Sequence, residues 1–473
     1  MQKHKSSIFI SNCLAILALL YSLSAYSIET IISGKAEWFK GEKISFSKYG
    51  DYISNIEVVL SSAIVDSSGE FQLLFDLKDT ISGKIEIGYQ ESGFIICPGT
   101  DYQIHINSRS ITRLSQALNP FIEKASLSIR IIQPEGIELN GEISEFLTLL
   151  DTFLLLNKTN IVVSQYKNAY DSLVLVLAER FPGNESSFLG KYIRYKLASF
   201  DGLVHRLTEE QAAKRYFMES RVLYSNPSYM ESFNQFFEGY LQRNSIKIPK
   251  TDLVYCINKL TSFKALTDSA GKDKILRNEE LRELVLLKAL SELFYSKDYD
   301  KSKILKMLRE AAQSKFSEHR EICRNLENSL MQMQTGAFLP DFNLQNQSGI
   351  TINRESFKGQ FIYISFVTTW CEGCLRELIY IEKLKEKYKG KVEFVTIVCN
   401  EDYAYMKNFL KNHLSWNWTF LSLDLNAGLL KDFKTKAFPD FVFADKEGKV
   451  LSYPAKKPSE GIEVVIERVL AGK

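Results

Sequence analysis

The sequence has few histidines and no excess of charge of either sign. Its 473 residues include five scattered histidines, and 59 basic residues stand against 57 acidic ones. No segment concentrates lysine and arginine, which argues against binding to nucleic acid or to an anionic membrane surface. The scattered histidines argue against a zinc site, because such a site needs further Cys or His ligands at compatible spacing.

A long apolar run is also missing. The apolar stretch at residues 8–20 is interrupted by two polar residues and is shorter than the ~20 residues that span a membrane. Two lysines precede it, and small residues at positions 25 and 27 resemble a cleavage site. This pattern predicts a secretory signal peptide at residues 1–27, cleaved near Ser27. Cys13 lies inside the apolar run, so a lipid-anchored mature end is not expected.

Cysteine is scarce too, but two of the seven cysteines are three positions apart. Cys371 and Cys374 follow the apolar residues 361–366, which predict a buried strand, and they open a predicted helix. Free amides and the dipole at a helix start stabilise a thiolate on the first cysteine. The spacing therefore predicts a reversible disulfide, with Cys371 as the nucleophile and Cys374 as the resolving thiol.

Residues 335–473 alternate strand and helix patterns around this pair. The predicted order is strand, helix, strand, helix, strand pair and helix. Residues 392–398 form the second predicted strand, residues 440–453 a hairpin, and Ser459 opens a terminal helix. These patterns predict an α/β domain with the cysteine pair at the end of its first strand.

Three segments resemble a known fold: Trp370 with the Cys371 to Cys374 motif, Phe438-Pro439 before a strand, and the turn at residues 445–448. Together they are similar to the thioredoxin fold, and within it to the TlpA-like or ResA-like branch of secreted thiol-disulfide oxidoreductases. That branch also has an acid placed like Glu377. The resemblance covers about the last third of the chain.

The resemblance implies roles for residues around the dithiol. A cis peptide bond is expected at Phe438-Pro439, beside the dithiol, where backbone groups would bind a substrate strand. Trp370 would form a wall of the site. Thioredoxin itself keeps a buried aspartate where this chain has Ser365, which cannot act as a carboxylate base.

Glu377 is the predicted replacement for that base. It lies three residues after Cys374, on a neighbouring helix face, and its helical neighbours include no cation. We predict that it accepts the proton of Cys374, because functional sites tune the pKa values of nearby carboxyls. The alternative is that Glu377 is only a half-exposed helix residue.

The same residues permit other functions. Covalent haem would need a histidine directly after Cys374, where Leu375 stands. A peroxidase of the peroxiredoxin kind shares the fold, and Thr368 matches the threonine of its peroxide site, but Ile364 replaces the expected proline. A binding or scaffold protein with an accessory redox module is a further alternative. No metal and no other cofactor is predicted.

Four further cysteines would remain in the mature chain: Cys97, Cys256, Cys323 and Cys399. They allow three pairings, and the sequence does not choose among them. Cys399 ends a predicted strand and is expected in the core, because free cysteines are among the most often buried residues.

The chain is too long for one ordinary domain. The predicted fold is multidomain, with an N-terminal β-rich sandwich-like domain, an α-helical middle domain and a C-terminal α/β thioredoxin fold. The predicted boundaries are residues 28–118, 119–330 and 331–473. Thr208 with Gln211 predicts a capping box, and Asn278 predicts a helix start.

We therefore predict a secreted, periplasmic thiol-disulfide oxidoreductase that reduces disulfides of envelope proteins. Its expected partners are protein disulfide substrates and a membrane or periplasmic electron donor. The front domains carry no recognisable nucleophile, metal or phosphate motif, and we expect them to hold the redox module near a partner or near a second copy in a homo-oligomer. The direction of the reaction, reducing or oxidising, stays open.

Overall fold

The computed structural model describes residues 28–109, 124–136, 138–157, 167–182, 185–204, 207–243, 248–400, 403–424 and 428–472. The predicted signal peptide lies outside these residues. The described chain divides into two compact units, here called the front unit and the redox domain; of the described residues, the redox domain comprises residues 326–472 and Lys124. None of the helices in the described residues combines the length and the apolar character that crossing a membrane requires.

The front unit begins with two β-sheets. Their strands are β1 (Ile28–Lys35), β2 (Lys43–Tyr49), β3 (Glu57–Ile64), β4 (Glu70–Leu77), β5 (Ile81–Ile87), β6 (Gln90–Ile96), β7 (Tyr102–Ile106), β8 (Ala125–Ser126) and β9 (Ile129–Gln133). One sheet has the order β4-β1-β7-β9 and the other β3-β2-β5-β6-β8. Alternate residues of β4 are buried, which is the pattern of a strand with one face in a core. Side chains from both sheets, such as Leu73 and Phe46, share that core.

The β-sheets extend further along the chain than predicted. The predicted β-rich domain ends at residue 118, yet β8 pairs with β6 and β9 pairs with β7. The strands of these two sheets thus extend to Gln133, beyond the predicted boundary at residue 118. The two late strands are short, and β9 is half-buried without strict alternation, so their pattern is weak in the sequence.

Helices form the rest of the front unit. They are α1 (Leu139–Leu156), α2 (Lys167–Arg180), α3 (Phe188–Lys196), α4 (Ala198–Val204), α5 (Glu209–Ala213), α6 (Pro227–Phe236), α7 (Tyr240–Arg243), α8 (Lys250–Val254), α9 (Phe263–Ala270), α10 (Glu279–Leu293), α11 (Lys301–Ala311) and α12 (Ser317–Met331), which continues into the redox domain. The predicted capping box of Thr208 and Gln211 is confirmed, and so is the cap at Asn278. Helix α10 buries side chains around its whole circumference, so it is central to the helical part.

Direct hydrogen bonds join the sheets and helices of the front unit. The Asn140 side chain, in the first turn of α1, bonds both the N–H and the C=O of Ile95 in β6, at 2.7 and 2.9 Å. Asn325 in α12 donates to Asp51 at 2.8 Å. The predicted β-rich and helical parts thus lie in one compact unit.

The redox domain contains a seven-stranded sheet with the order β11-β10-β14-β13-β12-β15-β16. Its elements are β10 (Asn343–Asn346), β11 (Thr351–Asn353), β12 (Phe361–Val367), α13 (Glu372–Lys387), β13 (Val392–Asn400), α14 (Tyr403–Lys411), β14 (Thr419–Asp424), α15 (Leu429–Asp432), β15 (Asp440–Ala444), β16 (Val450–Ser452) and α16 (Ile462–Leu470). Strand β12 is central, parallel to β13 and antiparallel to β15. This is the thioredoxin-like arrangement that the sequence predicted.

Each face of this sheet has its own core. Helices α13 and α16 pack on one face against Tyr363, and α15 packs on the other against Phe366. Six of the seven β12 side chains are buried, as expected for a strand covered on both faces. Truncating a fully buried phenylalanine such as Phe366 to alanine typically costs ~3–5 kcal/mol.

The first residues of the redox domain form backbone hydrogen bonds with β16 and with the turn before it. Gly336 N–H donates to Val450 O at 2.7 Å, and Leu339 N–H donates to Gly448 O at 2.9 Å, so this segment covers the free edge of β16. Met333 is buried in the core of the domain. Residues 331–340, the first of the predicted C-terminal domain, are thus part of the redox domain's own packing.

Candidate functional site

The dithiol lies at the junction of β12 and α13. Cys371 is the residue before the first turn of α13, and the N–H of Cys374 donates to its sulfur at 3.1 Å. The two sulfurs are bonded, with the Cα atoms 5.2 Å apart, so the structure holds the oxidised form. A sulfur at this position receives the positive end of the helix dipole, which favours a thiolate when the bond is reduced.

The two sulfurs differ in exposure. Cys371 is partly exposed, whereas Cys374 is 0% exposed. A thiolate approaching from solvent therefore reaches Cys371. This difference supports the predicted order of reaction, in which Cys371 meets the substrate and Cys374 acts from inside.

A proline borders the exposed sulfur. The Phe438-Pro439 bond is cis, as the resemblance implies. A β-carbon built on Gly373 would lie 3.8 Å from Pro439 Cδ and 3.9 Å from Cys371 Sγ, so the proline ring and the sulfur border the same space. Phe438 packs against both cores of the domain, and Trp370 is 48% exposed.

Glu377 is buried, unlike the half-exposed residue of the alternative interpretation. Its carboxylate accepts two hydrogen bonds from one residue, the Ser459 N–H at 3.0 Å and the Ser459 hydroxyl at 2.6 Å. This partner was not predicted from the sequence, because it lies 82 positions away. Ser459 does not open the terminal helix as predicted; it lies in the 3₁₀ turn Pro458–Glu460, before α16.

Ser365, at the position of thioredoxin's buried aspartate, belongs to a chain of hydroxyls. Its hydroxyl oxygen lies 2.9 Å from that of Thr396, and Thr396 accepts from Trp418 Nε1 at 2.9 Å. Both hydroxyls are fully buried. Neutral groups that satisfy one another replace the buried charge at this position.

A second carboxyl near the dithiol was missed by the sequence analysis. Asp440 directly follows Pro439 and accepts hydrogen bonds from the Phe441 N–H at 2.9 Å and the Tyr453 hydroxyl at 3.0 Å. Burial raises the pKa of Asp440, and these hydrogen bonds only partly offset it. Its position next to Phe438-Pro439 is the one sequence signal that could have identified it.

The other described cysteines form no disulfide. Cys97, Cys256, Cys323 and Cys399 are all thiols, so none of the three possible pairings occurs. Cys399 is 0% exposed, which confirms its predicted core position, and burial raises its pKa. Within the described residues, no group of three or more Cys, His, Asp and Glu side chains could hold a metal ion.

Comparisons with known proteins concern the redox domain. Residues 334–466 match the Redoxin family. The chain is 28% identical over 140 residues to thiol-disulfide oxidoreductase ResA of Bacillus thuringiensis subsp. konkukian, which covers 29% of this chain and 79% of that protein. It is 30% identical over 121 residues to a thiol-disulfide oxidoreductase ResA of Bacillus cereus, which covers 25% of this chain and 68% of that protein.

A solved structure gives a similar match. The crystal structure of the thioredoxin domain of a thiol-disulfide oxidoreductase from Bacteroides vulgatus is 19% identical, with a TM-score of 0.27, and the match covers 29% of this chain and 98% of that chain. Each of these similarities covers less than a third of the chain.

Proposed function

Since the chain belongs to the ResA-like family of thiol-disulfide oxidoreductases, we propose that its dithiol reduces disulfides of other envelope proteins in the periplasm. The observation that carries the proposal is the difference in exposure between the two sulfurs of the disulfide. The proposal assigns the attack on a second protein to the exposed sulfur and the release of that protein to the buried one.

The reducing reaction has two exchange steps. The Cys371 thiolate attacks one sulfur of the substrate disulfide; a bond forms between them, the substrate's S–S bond breaks, and its other sulfur leaves as a thiolate. Cys374 then attacks the Cys371 sulfur, and the mixed disulfide breaks. The substrate has gained two electrons and, after protonation, two protons. The protein is left with the Cys371 to Cys374 disulfide.

Glu377 is proposed to take the proton of Cys374 before the second step. Supporting this role, Glu377 is buried one helical turn from Cys374, and Ser459 holds its carboxylate. Two hydrogen bonds from Ser459 leave lone pairs on the carboxylate oxygens for a further proton. Cys374 is itself buried, so a proton acceptor inside the protein would speed its ionisation.

Pro439, with Phe438 and Trp370, is proposed to form the surface that receives the substrate. Pro439 supports this because its ring borders the space next to Cys371. A substrate strand in that space would pair with backbone groups next to the proline and bring its disulfide to the exposed sulfur.

Turnover requires a second partner. Each cycle leaves the dithiol oxidised, so we propose a dithiol electron donor in the membrane or the periplasm that reduces it again. The front unit is proposed to hold the redox domain near its partner or near a second copy of the chain.

Two cysteine variants test this function. We expect Cys374→Ser to accumulate a mixed disulfide with a protein substrate, because the resolving thiol is missing, and Cys371→Ser to show neither turnover nor adduct. Non-reducing electrophoresis and mass spectrometry of the adduct provide the measurement. Cys97→Ser removes a thiol of the front unit and is the matched control, with turnover like that of the wild type. Turnover by Cys371→Ser would refute the proposal.

The reduction potential of the dithiol tests the direction. Equilibration of the mature protein with defined thiol buffers, followed by counting of free thiols, measures it. A potential near the roughly −270 mV of thioredoxin would support a reductase. A potential near the roughly −120 mV of strong periplasmic oxidants would instead identify a disulfide donor.

A further inference from the structure

Arg376 places a positive charge beside the exposed sulfur. A β-carbon built on Gly373 would lie 3.9 Å from Cys371 Sγ and 4.0 Å from Arg376 Nη2, so the sulfur and the guanidinium border the same space. Arg376 is on α13, three residues after Gly373, and its side chain reaches back towards the start of the helix. It is exposed, and no carboxylate in the described parts of the chain pairs with it.

Pro439 borders this space too, at 3.8 Å from the same point. The guanidinium thus lies at the edge of the surface proposed to receive the substrate. When a sulfur of the substrate's disulfide approaches Cys371, a substrate residue next to that disulfide would come within reach of Arg376.

Two exposed lysines lie along the chain on either side of Pro439. Lys436 is three residues before the proline. Two hydrogen bonds hold the backbone of Lys456 near Phe441, which is two residues after the proline. The Lys456 carbonyl accepts from the Tyr363 hydroxyl at 2.8 Å, and the preceding Ala455 N–H donates to Phe441 O at 2.8 Å. We call Arg376, Lys436 and Lys456 the basic rim.

Three acidic groups near the rim each have a partner of their own. Glu377 is buried against Ser459, Asp440 is bonded to Tyr453, and Glu460 pairs with Lys457 at 3.4 Å. Glu372, in the first turn of α13, is exposed. The start of α13 adds the positive end of its helix dipole. Arg376 is therefore the cation of the rim whose charged group borders the space next to the exposed sulfur.

We propose that the basic rim, and Arg376 foremost, selects protein substrates with acidic residues next to the disulfide to be exchanged. This inference rests on the proposed function and names its substrate class. A guanidinium can bind a carboxylate through two parallel hydrogen bonds, which a lysine cannot do. The lysines contribute attraction over a longer distance, which accelerates encounter at low ionic strength.

Two matched disulfide peptides test the proposal on the full mature chain. One carries glutamates on both sides of a cysteine pair, and the other carries glutamines at the same positions. The measurement is the ratio of the second-order rate constants for their reduction by the reduced protein, at low and at high salt. Because Cys371 attacks both peptides, the ratio cancels any change in its own reactivity.

We expect the wild type to prefer the acidic peptide at low salt and the preference to shrink in 1 M salt, where the screening length is only ~3 Å. Arg376→Gln should lower the ratio about two- to fivefold, as expected for the loss of an exposed ion pair. Lys436→Gln and Lys456→Gln should lower the ratio less.

Arg468→Gln replaces an exposed arginine of α16; it is the matched control and should keep the wild-type ratio. Its neighbour Glu467 bonds Tyr388, at the end of the 16-residue α13 and thus ~24 Å along that helix from the dithiol.

The outcomes separate this proposal from the proposed function. A wild-type ratio near one, or the same ratio in Arg376→Gln as in the wild type, would overturn the role of the basic rim while leaving thiol exchange intact. Failure to reduce even the neutral peptide would instead count against the proposed function.

Discussion

Cys371 of the redox site and two cysteines elsewhere in the molecule are the same chemical group in opposite surroundings. Cys371 lies at a helix start, partly exposed, next to the guanidinium of Arg376. Cys256 in the front unit and Cys399 in the redox domain are buried, and desolvation raises the pKa of both thiols. Position, rather than residue type, therefore decides which thiol can attack another protein, because only a thiolate within reach of solvent can meet the disulfide of a second protein.

Polar groups show the same contrast. In the front unit, His319 is 0% exposed; its Nδ1 lies 2.9 Å from a Glu283 oxygen, and its Nε2 lies 2.7 Å from the Tyr224 hydroxyl. These groups satisfy one another inside the unit, as buried polar groups generally must. At the redox site, by contrast, Arg376 and the Cys371 sulfur face outward. A satisfied network stabilises a fold, whereas groups left open to solvent are available to a partner.

The largest expected effect concerns thiol reactivity. After reduction of the whole protein at neutral pH, we expect iodoacetamide to modify Cys371 at least about 1,000-fold faster than Cys256 or Cys399. Because their pKa values are raised, the two buried thiols form less thiolate than an ordinary cysteine at neutral pH, and their modification should accelerate only as the pH rises. Peptide mapping by mass spectrometry measures each rate. In urea the rates should converge; equal rates in the native protein would remove the contrast.

A smaller effect is expected from Glu377→Gln. The amide cannot accept the proton of Cys374, so release of the mixed disulfide should slow about 100-fold, the lower range for a general base. The rate in the variant should then keep rising with pH, because deprotonation of Cys374 becomes limiting. Stopped-flow measurement of substrate release gives both results. Glu382→Gln, in the same helix, is the control. An unchanged rate and pH profile would show that Glu377 only packs against Ser459.

The smallest effect concerns the front unit. Burial acts to raise the pKa of Glu283, but hydrogen bonds from His319 and Ser314 outweigh it, and the pKa is lowered from 4.5. A carboxyl with a lowered pKa in the folded protein stabilises it above pH 4.5, and this contribution disappears as the pH falls towards the folded value. The wild type should therefore lose more stability on acidification than Glu283→Gln does. Urea unfolding between pH 6 and pH 3 measures this, with Glu321→Gln of α12 as the control. Parallel losses in all three proteins would contradict the prediction.

Local features of the redox domain were predictable because neighbouring residues carry them. The apolar strand, the cysteine spacing and the helical pattern of Leu378 and Ile381 all lie within a short stretch of chain. The caps at Thr208 and Asn278 were predictable for the same reason. The end of the β-rich part was not, because β8 and β9 are short strands that depend on pairing with β6 and β7.

The sequence by itself determined the dithiol, the order of strands and helices around it, and the likeness to thiol-disulfide oxidoreductases, because these depend on residues close together in the chain. Tertiary structure alone decided which sulfur is exposed, that Ser459 holds Glu377, and that Arg376 and Pro439 border the space next to Cys371. Exposure and hydrogen-bond partners arise from packing between distant segments. The local sequence pattern does not show which distant segment packs against the dithiol, or which of the two sulfurs that segment leaves exposed to solvent.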